Sequence, residues 1–197
     1  MSFPTNLQSV LTQNNGTITT KEANRSGISN ERLRLLVRSG ELERLARGVY
    51  GLPENFIDNM FVYQLTRPRI IYSHETALFL HSLTDRDPVS YSVTVSTGYG
   101  VSRLLRDGLS VFTVKRQLFE LGVSEVKTVF GNTIRAYNLE RTICDCVRSR
   151  KKMDVAVVSE ALKRYSLRSD KNLNTLMEMA KIFRITTPLR SYLEVLL

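Results

Sequence analysis

The fold of the N-terminal part is decided by residues 20–53, which read TKEANRSGISNERLRLLVRSGELERLARGVYGLP. Thr20 stands at the N-cap position of a short helical segment that ends at Ser26-Gly27, and Ser29 stands at the N-cap position of a second helix, Asn30–Arg38. Serine and threonine cap helix N-termini through their side-chain oxygens, and glycine ends helices because it adopts the left-handed conformation freely. This order predicts a helix, a tight turn and a second helix, the spacing of a helix-turn-helix.

Two flanking segments extend this pattern. A preceding helix is predicted over Asn6–Asn14, because its apolar residues fall at positions i, i+3 and i+4. Two short strands of alternating character are predicted on either side of Ala46-Arg47-Gly48, as in a β-hairpin with a basic tip. Three helices followed by a basic hairpin are typical of a winged helix-turn-helix, which we place at residues 1–53 and expect to bind double-stranded DNA.

The helix Asn30–Arg38 separates an apolar arc, formed by Leu33, Leu36 and Val37, from a polar side. On the polar side, Arg34 can donate two hydrogen bonds to guanine and Asn30 can pair with adenine in the major groove. Other cations of the module are expected at phosphates or in the adjoining minor groove. The predicted DNA-binding residues are Lys21, Arg25, Ser29, Asn30, Arg32, Arg34, Arg38, Arg44 and Arg47.

The alternatives for this module remain open from sequence. Any one of these arginines can simply lie on a solvated helix face. Winged helices also serve as protein-docking or RNA-binding modules. The ordered set of three helices and a basic hairpin nevertheless favours DNA as the partner.

Positive charge is concentrated at the two ends of the chain. The 197 residues carry a net charge of +9, from 28 basic and 19 acidic side chains. Counted along the sequence, residues 1–50 hold 7 basic and 4 acidic groups, residues 51–140 hold 9 and 9, and residues 141–197 hold 12 and 6. The excess of +3 at one end and +6 at the other predicts two separate binding surfaces for acidic partners.

Composition and segment lengths limit the class of protein. An apolar fraction of 42% and a charged fraction of 24% are ordinary values for a folded chain. No apolar run approaches the roughly 18 residues that span a bilayer, and the first residues do not resemble a secretion signal, so we expect a cytoplasmic protein without a membrane partner. Cys144 and Cys146 would point about 200° apart on a helix, so we expect reduced thiols in the core.

The remaining sequence predicts a connecting helix or linker over residues 54–68 and a second domain over residues 69–197. Short strands are predicted first, including a hairpin of Val126–Phe130 and Thr133–Tyr137 about Gly131-Asn132, and four helices follow from Leu139 to the end. Strands followed by helices indicate an α+β fold, here a small mixed sheet with several helices behind an N-terminal winged helix-turn-helix.

Three stretches together resemble one known family. They are Arg47-Gly48-Val49-Tyr50-Gly51-Leu52-Pro53, Ile71-Tyr72-Ser73-His74-Glu75-Thr76-Ala77-Leu78 and Val93-Thr94-Val95-Ser96. With them the chain is similar over nearly its whole length to the AbiEi antitoxins. The resemblance implies a repressor of its own operon that binds promoter DNA with inverted repeats. It also implies a C-terminal domain that counteracts a separately encoded nucleotidyltransferase toxin, in a system that limits phage spread by arresting the infected bacterium.

The C-terminal basic residues are candidates for the antitoxin activity. They accompany helices whose apolar faces are predicted to be used in packing, so their charge should face outward. Such a surface could meet an acidic toxin, RNA or further DNA, or it could be a solvated face without a partner. The candidate antitoxin surface comprises Lys151, Lys152, Lys163, Arg164, Arg168, Lys171, Lys181, Arg184 and Arg190.

Catalytic and metal sites are weakly supported. His74 and His81 are seven residues apart, whereas the paired-histidine helix motif needs four, and Cys144-Asp145-Cys146 lacks a second ligand pair for zinc. Asp85-Arg86-Asp87 resembles a metal-binding aspartate pair only loosely, since it precedes a proline in a turn-like stretch.

A nuclease is the more interesting catalytic alternative. Metal-dependent nucleases use an aspartate together with a glutamate and a lysine that are separated by one residue on a neighbouring strand. Asp107 and Glu125-Val126-Lys127 match this pattern, provided that Asp107 lies near Glu125. We expect a non-enzyme without cofactor or metal. The alternatives to an antitoxin are a repressor with a sensing or oligomerising C-terminal domain and, second, a metal-dependent nuclease.

Overall fold

The chain divides into two compact units in a computed structural model that describes residues 5–196, and side chains from 7 to 194. The N-terminal unit comprises the described residues up to Arg69 together with Lys127–Ile134. The C-terminal unit comprises Ile70–Val126 and the described residues from Arg135 onward. The chain has an α+β fold that contains the predicted winged helix-turn-helix.

The N-terminal unit contains three helices, a three-stranded antiparallel sheet of order β1-β3-β2, and a fourth helix. The apolar arcs predicted from sequence meet in its core, where Leu7, Ile18, Leu33 and Leu36 are buried. In chain order its elements are α1 (Thr5–Gln13), β1 (Thr17–Thr19), α2 (Thr20–Arg25), α3 (Asn30–Arg38), β2 (Glu43–Ala46), β3 (Val49–Gly51) and α4 (Asn59–Thr66).

Local signals explain most of these bounds. Helix α3 has the predicted limits, and its cap is the Ser29 hydroxyl, which accepts a hydrogen bond from the Arg32 amide. The cap of α2 is Thr19 and not Thr20, because Thr19 forms a capping box with Glu22. Helix α4 begins at Asn59 and not at Glu54, because the Asp58 carboxylate caps it by accepting from the Phe61 amide.

The C-terminal unit is built on a five-stranded sheet of order β6-β5-β4-β8-β7. The pairs β4–β8 and β5–β6 are parallel, and β4–β5 is antiparallel, so the sheet is mixed as predicted. Its elements are β4 (Ile71–Tyr72), α5 (His74–Leu80), β5 (Ser92–Ser96), α6 (Ser102–Arg106), β6 (Ser110–Val114), β7 (Val123–Lys127), β8 (Thr133–Tyr137), α7 (Leu139–Ser149), α8 (Val155–Leu167), α9 (Leu173–Ile182) and α10 (Thr186–Leu196).

The first strand of the predicted β7–β8 hairpin has the wrong bounds. Strand β7 ends at Lys127, and residues 128–132 form a loop. In that loop Thr128 and Asn132 donate hydrogen bonds to the Asp58 carboxylate, at 2.6 and 2.9 Å. These contacts within the N-terminal unit keep residues 128–130 in a loop, although their β-branched and aromatic side chains favour a strand.

Helix α7 is the centre of the C-terminal core. It packs with α8, α9 and α10 around buried Ile143, Val147, Leu162 and Leu176. Cys144 and Cys146 are free thiols inside this core, as expected. Burial raises the pKa of the Cys144 thiol to about 12, so this sulfur stays protonated and unreactive at neutral pH.

Arg141 is the exception in this apolar core, because its side chain is fully buried. Its Nε atom donates to Asp145 at 2.9 Å, and its Nη1 atom donates to the carbonyls of Leu118 and Leu121. The guanidinium also lies over the rings of Tyr137 and Phe183, at 3.9 and 4.4 Å from their centroids. These contacts replace part of the hydration that the buried cation has lost, although its Nη2 atom has no hydrogen-bond partner among the described residues.

Candidate nucleic-acid interface

One concave surface of the N-terminal unit gathers the predicted DNA-reading residues of α3 and the hairpin. It is a groove of about 630 Å³ between α3 and the β2–β3 hairpin, which we call the reading groove. Its lining residues are Thr20, Asn30, Arg34, Val37, Arg38, Arg44, Arg47, Gly48 and Tyr50.

The helical repeat and the hairpin register explain this grouping. Asn30, Arg34 and Arg38 are spaced by four residues, so they follow one another along a single face of α3. Arg44 lies opposite Tyr50 in the β2–β3 pairing, which places both side chains on one face of the hairpin. Arg47 is in the turn that joins the two strands.

The hairpin is fixed to the start of α2. The Thr20 amide donates to the Gly48 carbonyl at 2.9 Å, and its hydroxyl approaches the same oxygen at 3.3 Å. Gly48 has a φ of +75°, and a Cβ atom there would lie 3.3 Å from the Thr20 hydroxyl oxygen. Glycine is therefore required at this turn for the basic hairpin to keep its position.

The charge of the reading groove is uncompensated. Its four arginines are the only charged residues in the lining, and none makes an ion pair with another side chain between residues 7 and 194. Arg34, Arg38, Arg44 and Arg47 are all solvent-exposed. Four exposed cations around a concave wall produce a positive potential that attracts phosphates.

The other predicted DNA residues lie outside this groove. Lys21 and Arg25 are exposed on α2, and Arg32 is exposed on α3 at about 200° from Arg34 around the helix. The Ser29 hydroxyl caps α3, although it can still donate its proton to a ligand. These four residues keep their proposed role at DNA but are not among the groove's lining residues.

Sequence reasoning missed two polar side chains of the reading groove, Thr20 and Tyr50. Tyr50 pairs with Arg44 across the hairpin, so strand alternation was the signal that placed its ring on the same face. Thr20 gave no such signal, because its place in the groove depends on the contact with Gly48.

The C-terminal basic residues are distributed over several elements. Lys151 and Lys152 lie in a 3₁₀ turn, Arg150–Lys152, directly after α7. Arg164 is ion-paired with Asp85 and Glu160, and Arg168 with Asp170, so part of the predicted charge is neutralised. The hydrogen bond from Arg164 lowers the pKa of the Asp85 carboxyl. The Lys171 ammonium donates to the Arg168 carbonyl, while Lys163, Lys181, Arg184 and Arg190 are exposed.

The histidines have structural contacts. His74 is buried, stacks on Phe112, and hydrogen-bonds Ser73 and Ser149. Burial, with a smaller contribution from Arg148 and Arg141, lowers the pKa of His74 well below its usual value. His81 contacts the Tyr137 carbonyl through Nε2 at 2.6 Å. Between residues 7 and 194 no three histidine, cysteine or acidic side chains cluster as metal ligands would.

The nuclease pattern is not assembled. Glu125 is on β7, whereas Asp107 is the C-cap residue of α6 and lies three residues before the start of β6, and these two strands form opposite edges of the five-stranded sheet. Four strand spacings of roughly 4.8 Å separate the two edges by about 19 Å. That separation is too large for the two carboxylates to share one or two cations.

None of the described helices is long and apolar enough to span a membrane. No curated protein matches the sequence. Among solved structures, the RV2827C protein from Mycobacterium tuberculosis has a similar fold, with a TM-score of 0.60 and 14% sequence identity. The superposition covers 97% of this chain and 78% of that protein.

A family model described as "Transcriptional regulator, AbiEi antitoxin" matches residues 7–53. The matched segment begins in α1 and extends just beyond β3, so it includes all nine lining residues of the reading groove. Over this segment, the chain is similar to the AbiEi antitoxin family of transcriptional regulators.

Proposed function

We propose that this chain is the antitoxin of a bacterial abortive-infection system and that it represses its own operon by binding promoter DNA in the cytoplasm. The reading groove is the observation that carries the proposal. It places four unpaired arginines and an asparagine on the helix and hairpin of a module whose family is one of transcriptional regulators. The fold similarity to a solved structure adds support for the architecture alone.

Within the reading groove, α3 and the hairpin are suited to different kinds of DNA contact, sequence-specific and non-specific. Asn30 and Arg34 occupy the first half of α3, the part of a recognition helix that reaches base edges in the major groove. Arg44 and Arg47 are on the hairpin, where a guanidinium can meet a phosphate or the adjoining minor groove. We therefore assign sequence preference to α3 and general affinity to the hairpin.

Two single variants test this division. Arg34→Ala should reduce the preference for the chain's own promoter over a scrambled duplex, with a loss of about 1–3 kcal/mol on the promoter. Arg47→Ala should weaken binding to both duplexes alike and reduce the slope of log K against log salt by about 1. Fluorescence anisotropy at several salt concentrations gives both quantities.

Lys163→Ala is the matched control, because Lys163 is an exposed cation on α8. It should leave promoter affinity and salt dependence unchanged. Unchanged promoter binding in both Arg34→Ala and Arg47→Ala would contradict the assignment of DNA binding to the reading groove.

We assign toxin neutralisation to the C-terminal unit. This assignment rests on the word "antitoxin" in the description of the matching family and on the excess positive charge beyond residue 140. The expected target is a nucleotidyltransferase toxin encoded beside the chain, met either directly or through competition for its substrate. The exposed members of the candidate surface, Lys163, Lys181, Arg184 and Arg190, remain candidates for this contact.

The antitoxin assignment is best tested in the full chain. A fragment that starts at residue 60 would lack Asp58, which accepts hydrogen bonds from Thr128 and Asn132. The full-length Arg34→Ala/Arg47→Ala variant should lose repression but still rescue growth when co-expressed with the adjacent toxin gene. Growth arrest despite normal amounts of folded variant would show that neutralisation needs DNA binding.

A non-catalytic role is part of the proposal, since repression and neutralisation both follow from binding. The alternative is a repressor whose C-terminal unit senses a ligand or oligomerises. In that case neither the wild-type chain nor any variant would relieve toxin-induced arrest. The same co-expression experiment therefore distinguishes the two functions.

A further inference from the structure

A second groove lies in the C-terminal unit. It has a volume of about 520 Å³ and follows the edge strand β6, so we call it the edge groove. One wall is formed by four consecutive strand residues, and the other by the end of α7 and the turn after it. The lining residues are Ser110, Val111, Phe112, Thr113, Arg148, Ser149, Lys151 and Lys152.

Strand β6 presents free backbone groups to this groove. The Ser110 amide donates to Tyr91, and the Val114 carbonyl accepts from Thr97, so these residues direct their backbone groups towards β5. Backbone direction alternates along a strand, and therefore Val111 and Thr113 direct their N–H and C=O groups to the other side. Strand β6 is terminal in the sheet, so a further strand can pair with these groups.

The opposite wall supplies uncompensated positive charge. Lys151 and Lys152 are exposed, and neither forms an ion pair with any side chain between residues 7 and 194. Arg148 is different, because it pairs with the buried Asp145 at 3.1 Å. No acidic side chain is among the lining residues, so the groove is complementary to carboxylates.

Internal contacts fix the two walls against each other. The Phe112 ring stacks on His74, with centroids 3.4 Å apart, and His74 Nε2 lies 3.0 Å from the Ser149 hydroxyl. His74 thus joins β6 to the end of α7, through one face of its ring and through its Nε2 atom. A groove that is already assembled binds without the entropic cost of ordering its own walls.

We propose that the edge groove binds an extended acidic segment of a partner protein, which adds a strand beside β6. Its backbone pairs with Val111 and Thr113, and its carboxylates lie near Lys151 and Lys152. Backbone pairing gives affinity in such complexes and side-chain contacts give specificity. The free strand edge favours a peptide over a small anion, because an anion would leave the Val111 and Thr113 pairing groups unused. This proposal does not depend on DNA binding.

The probe is an acetylated, amidated hexapeptide of alternating valine and glutamate, with the valine–glutamine analogue as the neutral control. In nuclear magnetic resonance titrations of the full chain, the acidic peptide should shift the Val111 and Thr113 amides and slow their hydrogen exchange. Lys151→Gln/Lys152→Gln should weaken binding about tenfold, as expected for two exposed charge pairs. The matched pair Arg103→Gln/Arg106→Gln, at two exposed positions of α6 outside the groove lining, should bind like the wild type.

Thr113→Pro tests the backbone pairing separately. It removes an N–H group that the sheet does not use, which an edge strand tolerates. This variant should keep its circular dichroism spectrum and bind the acidic peptide about tenfold more weakly, the effect of one lost hydrogen bond. If it does not fold, the exchange rates of the two amides in the unmodified chain decide the question.

Three results would overturn the proposal. The first is no binding of the acidic peptide at millimolar concentration. The second is binding that leaves the Val111 and Thr113 amides unchanged and is displaced by pyrophosphate, which would make the groove an anion site. The third is an equal loss of affinity in the Lys151/Lys152 and Arg103/Arg106 double variants, which would indicate general charge attraction.

Discussion

At the scale of single residues, Arg141 carries a positive charge into the core of the C-terminal unit. Its partners are Asp145, two backbone carbonyls and two aromatic rings. Gly122 makes room for it, since a Cβ atom at position 122 would lie 2.7 Å from the Arg141 Cβ. Hydrophobic periodicity predicted the helix that carries Arg141 but not this role, because the partners come from distant segments.

Arg141→Met should lower the free energy of unfolding by about 3–5 kcal/mol, because it leaves Asp145 buried with one of its two cations gone. Urea denaturation measures this change. The control is Arg86→Met, which removes the exposed pair with Asp154 and should cost less than about 1 kcal/mol. Similar costs in the two variants would show that Arg141 does not stabilise the core.

His74 gives the fold a dependence on pH. Burial lowers its pKa in the folded state, so it stays neutral there while the unfolded chain takes up a proton below about 6.5. The unfolded state then binds more protons, and the free energy of unfolding falls as the pH falls. The stabilising contribution is complete above pH 6.5 and is lost progressively below it.

We expect the wild type to lose stability between pH 7 and 5.5 with a slope of up to about 1.4 kcal/mol per pH unit from this group. His74→Gln should show a smaller slope over the same range. His81, whose pKa burial also lowers, remains in both proteins, so the difference isolates His74. Parallel pH profiles for the two proteins would refute this role of His74.

At the scale of elements, the segments with local signals were predicted well and those with distant partners were not. Helix α3 was predicted with its observed bounds, because Ser29 caps it and Gly40 follows its end. Helix α6 was missed, since it has only five residues and no side-chain cap. Strand β7 was misplaced, because Thr128 and Asn132 bind Asp58 some 70 residues away.

Asp58 therefore connects two segments of the N-terminal unit. Asp58→Ala removes the cap of α4 and leaves Thr128 and Asn132 without their acceptor, so unfolding should become easier by about 2–4 kcal/mol. Amide exchange in residues 128–132 should accelerate as well. Asp87→Ala, at an exposed position, is the control and should change neither quantity. Normal protection of the loop in Asp58→Ala would contradict this account.

At the scale of the whole molecule, the charge pattern predicted two basic regions, and the structure shows that they differ in kind. The arginines of α3 and the hairpin line one concave surface whose lining contains no acidic residue. The C-terminal cations are divided between ion pairs, exposed helix positions and the edge groove. The number of charges follows from the sequence, but only the structure shows that the charges of Arg164 and Arg168 are neutralised by ion pairs.

The residues of the candidate sites that follow a local sequence pattern were predictable, and those placed by tertiary contacts were not. Asn30, Arg34 and Arg38 follow from helical spacing, and Arg44 and Arg47 follow from the hairpin. Thr20 joins the groove through its hydrogen bond to Gly48, and Arg148 joins the edge groove at the end of α7. Neither contact has a local signal in the sequence.

The most direct test of the central claim compares two full-length variants with the same change in net charge. One replaces Arg34, Arg38, Arg44 and Arg47 by glutamine; the other replaces the exposed residues Lys163, Lys181, Arg184 and Arg190. Binding to promoter DNA is measured against salt concentration. If the reading groove binds DNA, the first variant loses binding and the slope of log K against log salt falls by about 3–4, while the second keeps both. Equal losses in the two variants, or undiminished binding in the first, would contradict it.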